Sequence, residues 1–178
     1  MHIRDTAAED LPQVLQVHRA AFGGATEAAL VEAMLADPTA RPLLSLLAVE
    51  GERALGHVLF SCARIAGAGN GAAMAILAPL AVVPAAQGKG IGSRLVEGGL
   101  ERLTAQGIAL VFVLGDPAYY RRFGFAPATP MGLAPPHPLP AEHAEAWMAR
   151  PLRDRPPERL RGTVACCDTL MSPELWQA

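Results

Sequence analysis

The chain has 178 residues and a formal net charge of −2, with 51% of its residues hydrophobic and 18% charged. That composition excludes intrinsic disorder, suffices for one domain with a full core, and leaves little room for a second. The charge balance supplies no basic field for nucleic acid, so an anionic ligand must be held by local groups and helix ends. No apolar run approaches the ~18 residues of a membrane span, and Met1–Asp5 lacks the apolar core of a signal peptide. Cys62, Cys166 and Cys167 suit neither a disulfide framework nor a zinc site. The expectation is a cytoplasmic, reduced setting with no metal, no membrane partner and no nucleic acid.

Ile3–Asp5 reads as an opening strand, and Thr6-Ala7-Ala8-Glu9 has the spacing of a capping box with Thr6 as N-cap. Leu11, Val14, Leu15, His18 and Phe22 then recur at helical spacing, until Gly23-Gly24 stops the helix. Thr26 is placed to cap a second helix bearing Leu30, Val31, Met34 and Leu35, which ends at Asp37-Pro38. Leu43–Val49 and Ala54–Ile65 flank a Glu50-Gly51-Glu52 turn and predict an antiparallel hairpin. A glycine-rich loop over Gly67–Gly71 leads to a third strand, Ala73–Val83, followed by a helix over Gly90–Ala105. The apolar run Ile108–Leu114 predicts a strand covered on both faces, parallel to the strand before the helix. Within the helix, Gly98-Gly99 costs about 1 kcal/mol per residue against Ala, which close approach to a sheet would explain.

Ten of the sixteen prolines lie from Pro127 onward, so the rest reads as extended chain around two strands, Glu145–Leu152 and Gly162–Cys166. Cys166 and Cys167 are expected on the second of these, one thiol facing in and one out. The organisation expected is a single domain over 1–178, with a core over 1–128 and a Pro-rich extension over 129–178.

The informative stretch is Leu77–Phe125. Gln87-Gly88-Lys89-Gly90-Ile91-Gly92-Ser93 opens directly into a helix, whose first N–H groups lack partners and form a seat for phosphate. The P-loop of nucleotidases needs a Lys followed by Ser or Thr after its last glycine, which is missing here, and the Gly-x-Gly-x-x-Gly of dinucleotide-binding units does not match either. Downstream, Tyr119-Tyr120-Arg121-Arg122-Phe123-Gly124-Phe125 brings a phenol back from the next strand toward the same ligand.

Gln87, Gly90 and Gly92 match Gln/Arg-x-x-Gly-x-Gly/Ala, and Tyr120 through Phe125 match Tyr-x-x-Phe-Gly-Phe. In this order, separated by a helix and a strand, the two signatures resemble those of the GNAT superfamily of N-acetyltransferases, and the tail is similar to its branch of bacterial predicted acetyltransferases. The resemblance implies a mixed α/β (α+β) fold of the GNAT acyl-CoA acyltransferase type. Its sheet would be mostly antiparallel with one splayed parallel pair and helices on both faces.

The resemblance also implies acetyl-CoA as acyl donor, its pyrophosphate on the N–H groups of Gly88, Lys89, Gly90, Ile91, Gly92 and Ser93, preceded by Gln87. Its pantetheine would run between the strands Ala73–Val83 and Ile108–Leu114. Pro79 cannot donate to a ladder and marks either a bulge or an edge strand. A bulge would free the backbone of Leu80, Ala81 and Val82 for the arm and for the thioester carbonyl. The leaving thiolate, with a pKa of about 8.5 by analogy to Cys, needs a proton. Tyr120 aligns with the family's general acid. Tyr119, on another side of the same turn, packs near the cofactor or exchanges roles with it.

Asp116 stands where relatives carry a pantetheine-bonding Asn, or acts with Pro117 as a helix cap. Lys89 reaches phosphate or solvent. Arg121 and Arg122 face the cofactor's 3′-phosphate or solvent. Glu27, Glu32 and His57 are candidates for the base. The acceptor would be a small-molecule or protein amine, and the protein a monomer or homodimer. A fold that binds acyl-CoA without turnover, as a sensor, is the alternative.

Overall fold

The computed structural model describes residues 1–69, 71–153 and 160–177. The expected Gly67–Gly71 loop and the Pro-rich extension each include residues outside that set. Strand β1 (His2–Asp5) is followed by helices α1 (Leu11–Phe22) and α2 (Thr26–Ala36). The hairpin β2 (Leu44–Glu50) and β3 (Arg53–Ile65) precedes β4 (Met74–Val82), α3 (Ile91–Ala105) and β5 (Leu110–Leu114). A single turn α4 (Pro117–Tyr120), short strands β6 (Ala126–Pro127) and β7 (Leu133–Ala134), β8 (Trp147–Pro151) and β9 (Gly162–Ala165) complete the order. The main sheet runs β1-β2-β3-β4-β5-β8-β6, with β9 pairing to the end of β3 and to β7. Pairing is antiparallel except between β4 and β5 and between β7 and β9. The architecture is therefore the expected one, with a parallel central pair bridged by α3.

Alternation along the strands splits the core into two layers. On one face Leu47, Val49, Leu59, Ile76 and Phe112 pack with Val14, Leu15, Val31 and Met34 of α1 and α2. On the other, Leu46, Val58, Phe60, Leu77 and Val111 pack with Leu95, Val96, Leu100 and Leu103 of α3. Gly99 lets α3 approach, because a Cβ there would stand 2.2 Å from the Phe60 ring; a Cβ on Gly98 would meet nothing within 4 Å. Close approach to the sheet thus accounts for the second glycine of the pair only.

The C-terminal chain completes the sheet. Strand β8 pairs with β5 from Leu110↔Pro151 to Leu114↔Trp147. Trp147 stacks on Phe112 at 5.1 Å, and its indole N–H donates to the Leu133 carbonyl at 3.0 Å. Asp37, at the end of α2, accepts from the Thr169 N–H and hydroxyl at 3.0 and 2.7 Å, which ties the tail to the helical layer.

Three local expectations are corrected. The N-terminal capping box sits one residue later: Asp10, not Glu9, reaches back, accepting from the Ala7 N–H at 2.7 Å while bridged to Arg4. Thr6 instead extends the strand, its N–H donating to the Ser45 carbonyl. Thr26 is the first residue of α2 and makes no side-chain cap. Cys166 and Cys167 lie just past β9 and both are buried, so neither thiol faces out. Burial pushes the Cys166 thiol up to about 12.

Helix α1 is pinned to the sheet by a polar row in a mostly apolar layer. His18 Nε2 lies 2.9 Å from His57 Nδ1, and His57 Nε2 lies 2.8 Å from Ser45 Oγ. Both imidazoles are fully buried. Burial lowers His18 to about 4, and burial together with His18 lowers His57 to about 3. Because the folded values lie below the ordinary histidine value, the unfolded chain binds more protons. The stability the row contributes is therefore complete above about pH 6.5 and is lost as pH falls toward 4. At about 1.4 kcal/mol per unit, His18 alone accounts for a loss of about 3 kcal/mol. Denaturant melts from pH 7 to 4.5 should show this decline, and His57→Gln should reduce it by about half, leaving the share of His18; a level profile in the wild type would contradict it. Gly99→Ala should lower the melting temperature by roughly 2–10 °C through the clash with Phe60; an unchanged midpoint would contradict the packing argument.

Candidate active site

Beyond the Leu77↔Val113 pair, β4 and β5 no longer pair, although β4 continues to Val82 and β5 to Leu114. The cause lies on the other side of β4. Between Val58↔Leu80 and Phe60↔Leu77 the single residue Leu59 faces both Ala78 and Pro79, a bulge in the middle of the sheet. Proline fits there because it has no N–H to leave unpaired. The edge-strand reading of Pro79 is thereby excluded, since β4 lies between β3 and β5. The bulge turns the end of β4 away from β5 and leaves its backbone open to a ligand on that side.

The loop after β4 leads straight to the start of α3. Gln87 braces it, donating from Nε2 to the Val82 carbonyl at 3.0 Å. Gly88 and Gly90 take φ of +73° and +79°, and a Cβ on either would meet nothing within 4 Å, so the loop's outer side is bare backbone. Gly90 is the N-cap and offers no side chain, and the first turn of α3 carries no acidic residue. The first intrahelical bond is Arg94 N–H to Gly90 carbonyl, so the N–H groups of Ile91, Gly92 and Ser93 have no partner within the helix. Three orphan donors at the positive end of a fifteen-residue helix make an anion seat.

A cleft of about 410 Å³ lies in front of this turn, lined by Leu80, Val82, Gln87, Gly88, Gly90, Ile91, Gly92, Ser93, Tyr119 and Arg122, with Ala86. Nine of these come from the residues expected to hold a cofactor. Ala81 is not among them. It points to the opposite face, buried and paired with His57. Lys89 faces a neighbouring cavity of about 480 Å³, which it shares with Arg53, Arg94 and Glu50.

The two tyrosines occupy different places. Asp116 caps α4, accepting from the Ala118 N–H at 2.9 Å, with Pro117 at the first helical position. Tyr119 lines the cleft, and its hydroxyl sits where a Cβ on Gly92 would be only 2.7 Å away. The Arg122 guanidinium lies 4.6 Å above its ring. Tyr120 is buried among Phe123 and Phe125, its ring 2.5 Å from where a Cβ on Gly115 would stand. Gly115 directly follows β5, so Tyr120 is held at the open end of the parted strands while Tyr119 is held at the uncapped start of α3. Burial, with Tyr119 beside it, pushes the Tyr120 phenol well above its ordinary value, keeping it protonated.

Of the base candidates, Glu32 is exposed, Glu27 is half-exposed and His57 is fully buried. Two groupings were not visible in the sequence. Asp116, Glu142, His143 and Glu145 share a cavity of about 670 Å³ at the end of β5, formed by segments some 25 residues apart in the chain. His18 joins His57 across the α1–β3 interface, a contact between residues too distant in sequence for spacing to reveal.

Residues 2–128 match the family model described as an acetyltransferase (GNAT) domain. The chain is 44% identical over 168 residues to the uncharacterized N-acetyltransferase YjhQ of Escherichia coli, covering 94% of this chain and 91% of that protein. The crystal structure of the E. coli GNAT family N-acetyltransferase YhbS in complex with CoA superposes with a TM-score of 0.85 at 31% identity, covering 95% of this chain and 91% of that one. A GNAT family acetyltransferase from Brucella melitensis in complex with acetyl-CoA gives a TM-score of 0.74 at 33% identity, over 95% of this chain and 97% of that one. With the family model matching residues 2–128 and these likenesses running nearly the length of the chain, the protein belongs to the GNAT family of acetyltransferases.

Proposed function

We propose that this chain transfers the acetyl group of acetyl-CoA directly to a primary amine, as one acetyltransferase domain spanning residues 1–178. The observation that carries this reading is the convergence, in one cleft, of an uncapped helix N-terminus, a strand end freed by a bulge, and Tyr119, with Tyr120 buried behind it at the open end of β5. The orphan N–H groups of Ile91, Gly92 and Ser93, with Gly88 and Gly90, suit a diphosphate. The CoA and acetyl-CoA complexes of its relatives support that occupant. Leu80 and Val82 line the same cleft, where their backbone is available to the pantetheine amides and a strand-end N–H to the developing oxyanion.

The acceptor nitrogen attacks the thioester carbonyl, and the sulfur leaves as its bond to carbon breaks. Tyr120, its phenol held at the open end of the parted strands, supplies the proton that the departing sulfur requires. Tyr119 positions the phosphate end. The cavity beside Asp116, Glu142 and Glu145 opens at the end of β5, and its carboxylates, one of them bridged to Arg121, suit an acceptor that carries positive charge.

Thiol release from acetyl-CoA in the presence of a panel of small primary amines and peptide N-termini tests the reading. Tyr120→Phe should lower kcat about 100-fold or more while acetyl-CoA affinity holds. Tyr119→Phe should instead weaken affinity with a smaller effect on kcat. Tight acetyl-CoA binding with no turnover on any amine would favour a sensor; wild-type rates in Tyr120→Phe would remove the assigned acid.

A further inference from the structure

A second cavity, of about 480 Å³, gathers three cations from three separate parts of the chain: Arg53 at the start of β3, Lys89 in the glycine loop and Arg94 in the first turn of α3. All three are exposed, and among the described residues none is in an ion pair. Glu50, opposite Arg53 on the hairpin, is the one carboxylate among the lining residues, so the side chains leave an excess of two positive charges. Like charges gathered on one wall repel, and a bound anion relieves that cost. Lys89 and Arg94 also flank the positive end of α3, where the helix dipole disfavours a cation and favours an anion.

This cavity adjoins the cofactor cleft. Ala86 and Ile91 line both, and successive loop residues divide between them, Gly88 and Gly90 on the cleft and Lys89 on the cavity. Its floor is apolar, formed by buried Leu55 and Ile91 with half-buried Val83, as suits a nucleoside carrying a charged group at its rim. On the other side of the seat the arginines are engaged. Arg121 is bridged to Glu145 at 3.5 Å, and Arg122 stacks over the Tyr119 ring while its Nε donates to the Tyr119 carbonyl at 3.0 Å.

Resting on the acetyl-transfer reading, we infer that this cavity receives the phosphorylated ribose of the acyl donor, and that Arg53, Lys89 and Arg94 hold its 3′-phosphate. A diphosphate on the orphan amides of Ile91, Gly92 and Ser93 sets the attached ribose at the border that cleft and cavity share. A phosphate monoester carries about −1.5 to −2 charges at pH 7, which matches the excess on the wall. The 3′-phosphate thus lies on the opposite side of the seat from Arg121 and Arg122. The consequence is selectivity: the cavity distinguishes CoA from 3′-dephospho-CoA, which has the same diphosphate and pantetheine and lacks only that group.

Calorimetric titration with CoA and with 3′-dephospho-CoA at low salt tests the assignment. An exposed ion pair contributes up to roughly 5-fold in affinity, so three should make wild type bind CoA about 10-fold or more tighter than the dephospho compound. The double variant Arg53→Gln/Arg94→Gln should close that gap to within about 3-fold and leave 3′-dephospho-CoA affinity unchanged, which also reports that the variant is folded and its diphosphate seat intact. Glu50→Gln should widen the gap, because it removes the carboxylate that opposes the phosphate, and added salt should narrow it. Equal wild-type affinities for the two compounds, a gap that survives the double variant, or one that closes in Arg122→Gln instead would each overturn the assignment while 3′-dephospho-CoA binding upholds the diphosphate seat. Failure of wild type to bind either compound would defeat the underlying reading and this assignment with it.

Discussion

The site depends on a break in β-pairing at the centre of the sheet. Two residues of β4, Ala78 and Pro79, stand opposite one residue of β3, and from that point β4 and β5 go separate ways. In a sheet a strand end without a partner is a cost, because N–H and C=O groups are taken from water without replacement. Here the open side of β4 faces a cleft, and the loop that follows delivers the unpaired first turn of α3 to the same place. The two sets of orphan groups belong together: one suits the amides of an extended arm, the other the phosphates at its end.

Much of the remaining chain holds that opening in shape. Strand β8 pairs along β5 as far as Leu114↔Trp147, so β5 keeps a full ladder on its outer side while parted from β4 on its inner side. Phe60 and Gly99 bring α3 close enough to the sheet for its N-terminus to point along the cleft. Gly92 and Gly115 each leave room for one tyrosine ring, which fixes Tyr119 at the helix end and Tyr120 at the strand end. The asymmetry between two adjacent tyrosines is therefore set by glycines that are far apart in sequence.

The strands and helices were legible because their burial alternates at the period of each element, and the strand–helix–strand unit around α3 announced itself through Ile108–Leu114. The glycine loop was legible as an uncapped helix entry because Gly88 and Gly90 take positive φ and carry no side chain. The misplaced cap at Thr6 and Glu9 has a tertiary cause: Arg4 pairs with Asp10, not Glu9, and Thr6 is claimed by the strand. Spacing alone places Ala81 with its neighbours, but strand alternation turns it to the other face. The acidic cavity and the His18–His57 pair depend on which segments meet in space. His18 reads as one more member of a buried helical stripe, and only its partner across the sheet distinguishes it.

The central claim is that the bare amides at the start of α3 hold the diphosphate of the acyl donor. The most direct measurement is the change in backbone amide resonances of the labelled protein on titration with CoA. The account predicts the largest shifts at Gly88, Gly90, Ile91, Gly92 and Ser93, moving together at one dissociation constant. Shifts elsewhere with these five amides undisturbed, or no shifts at all, would contradict it.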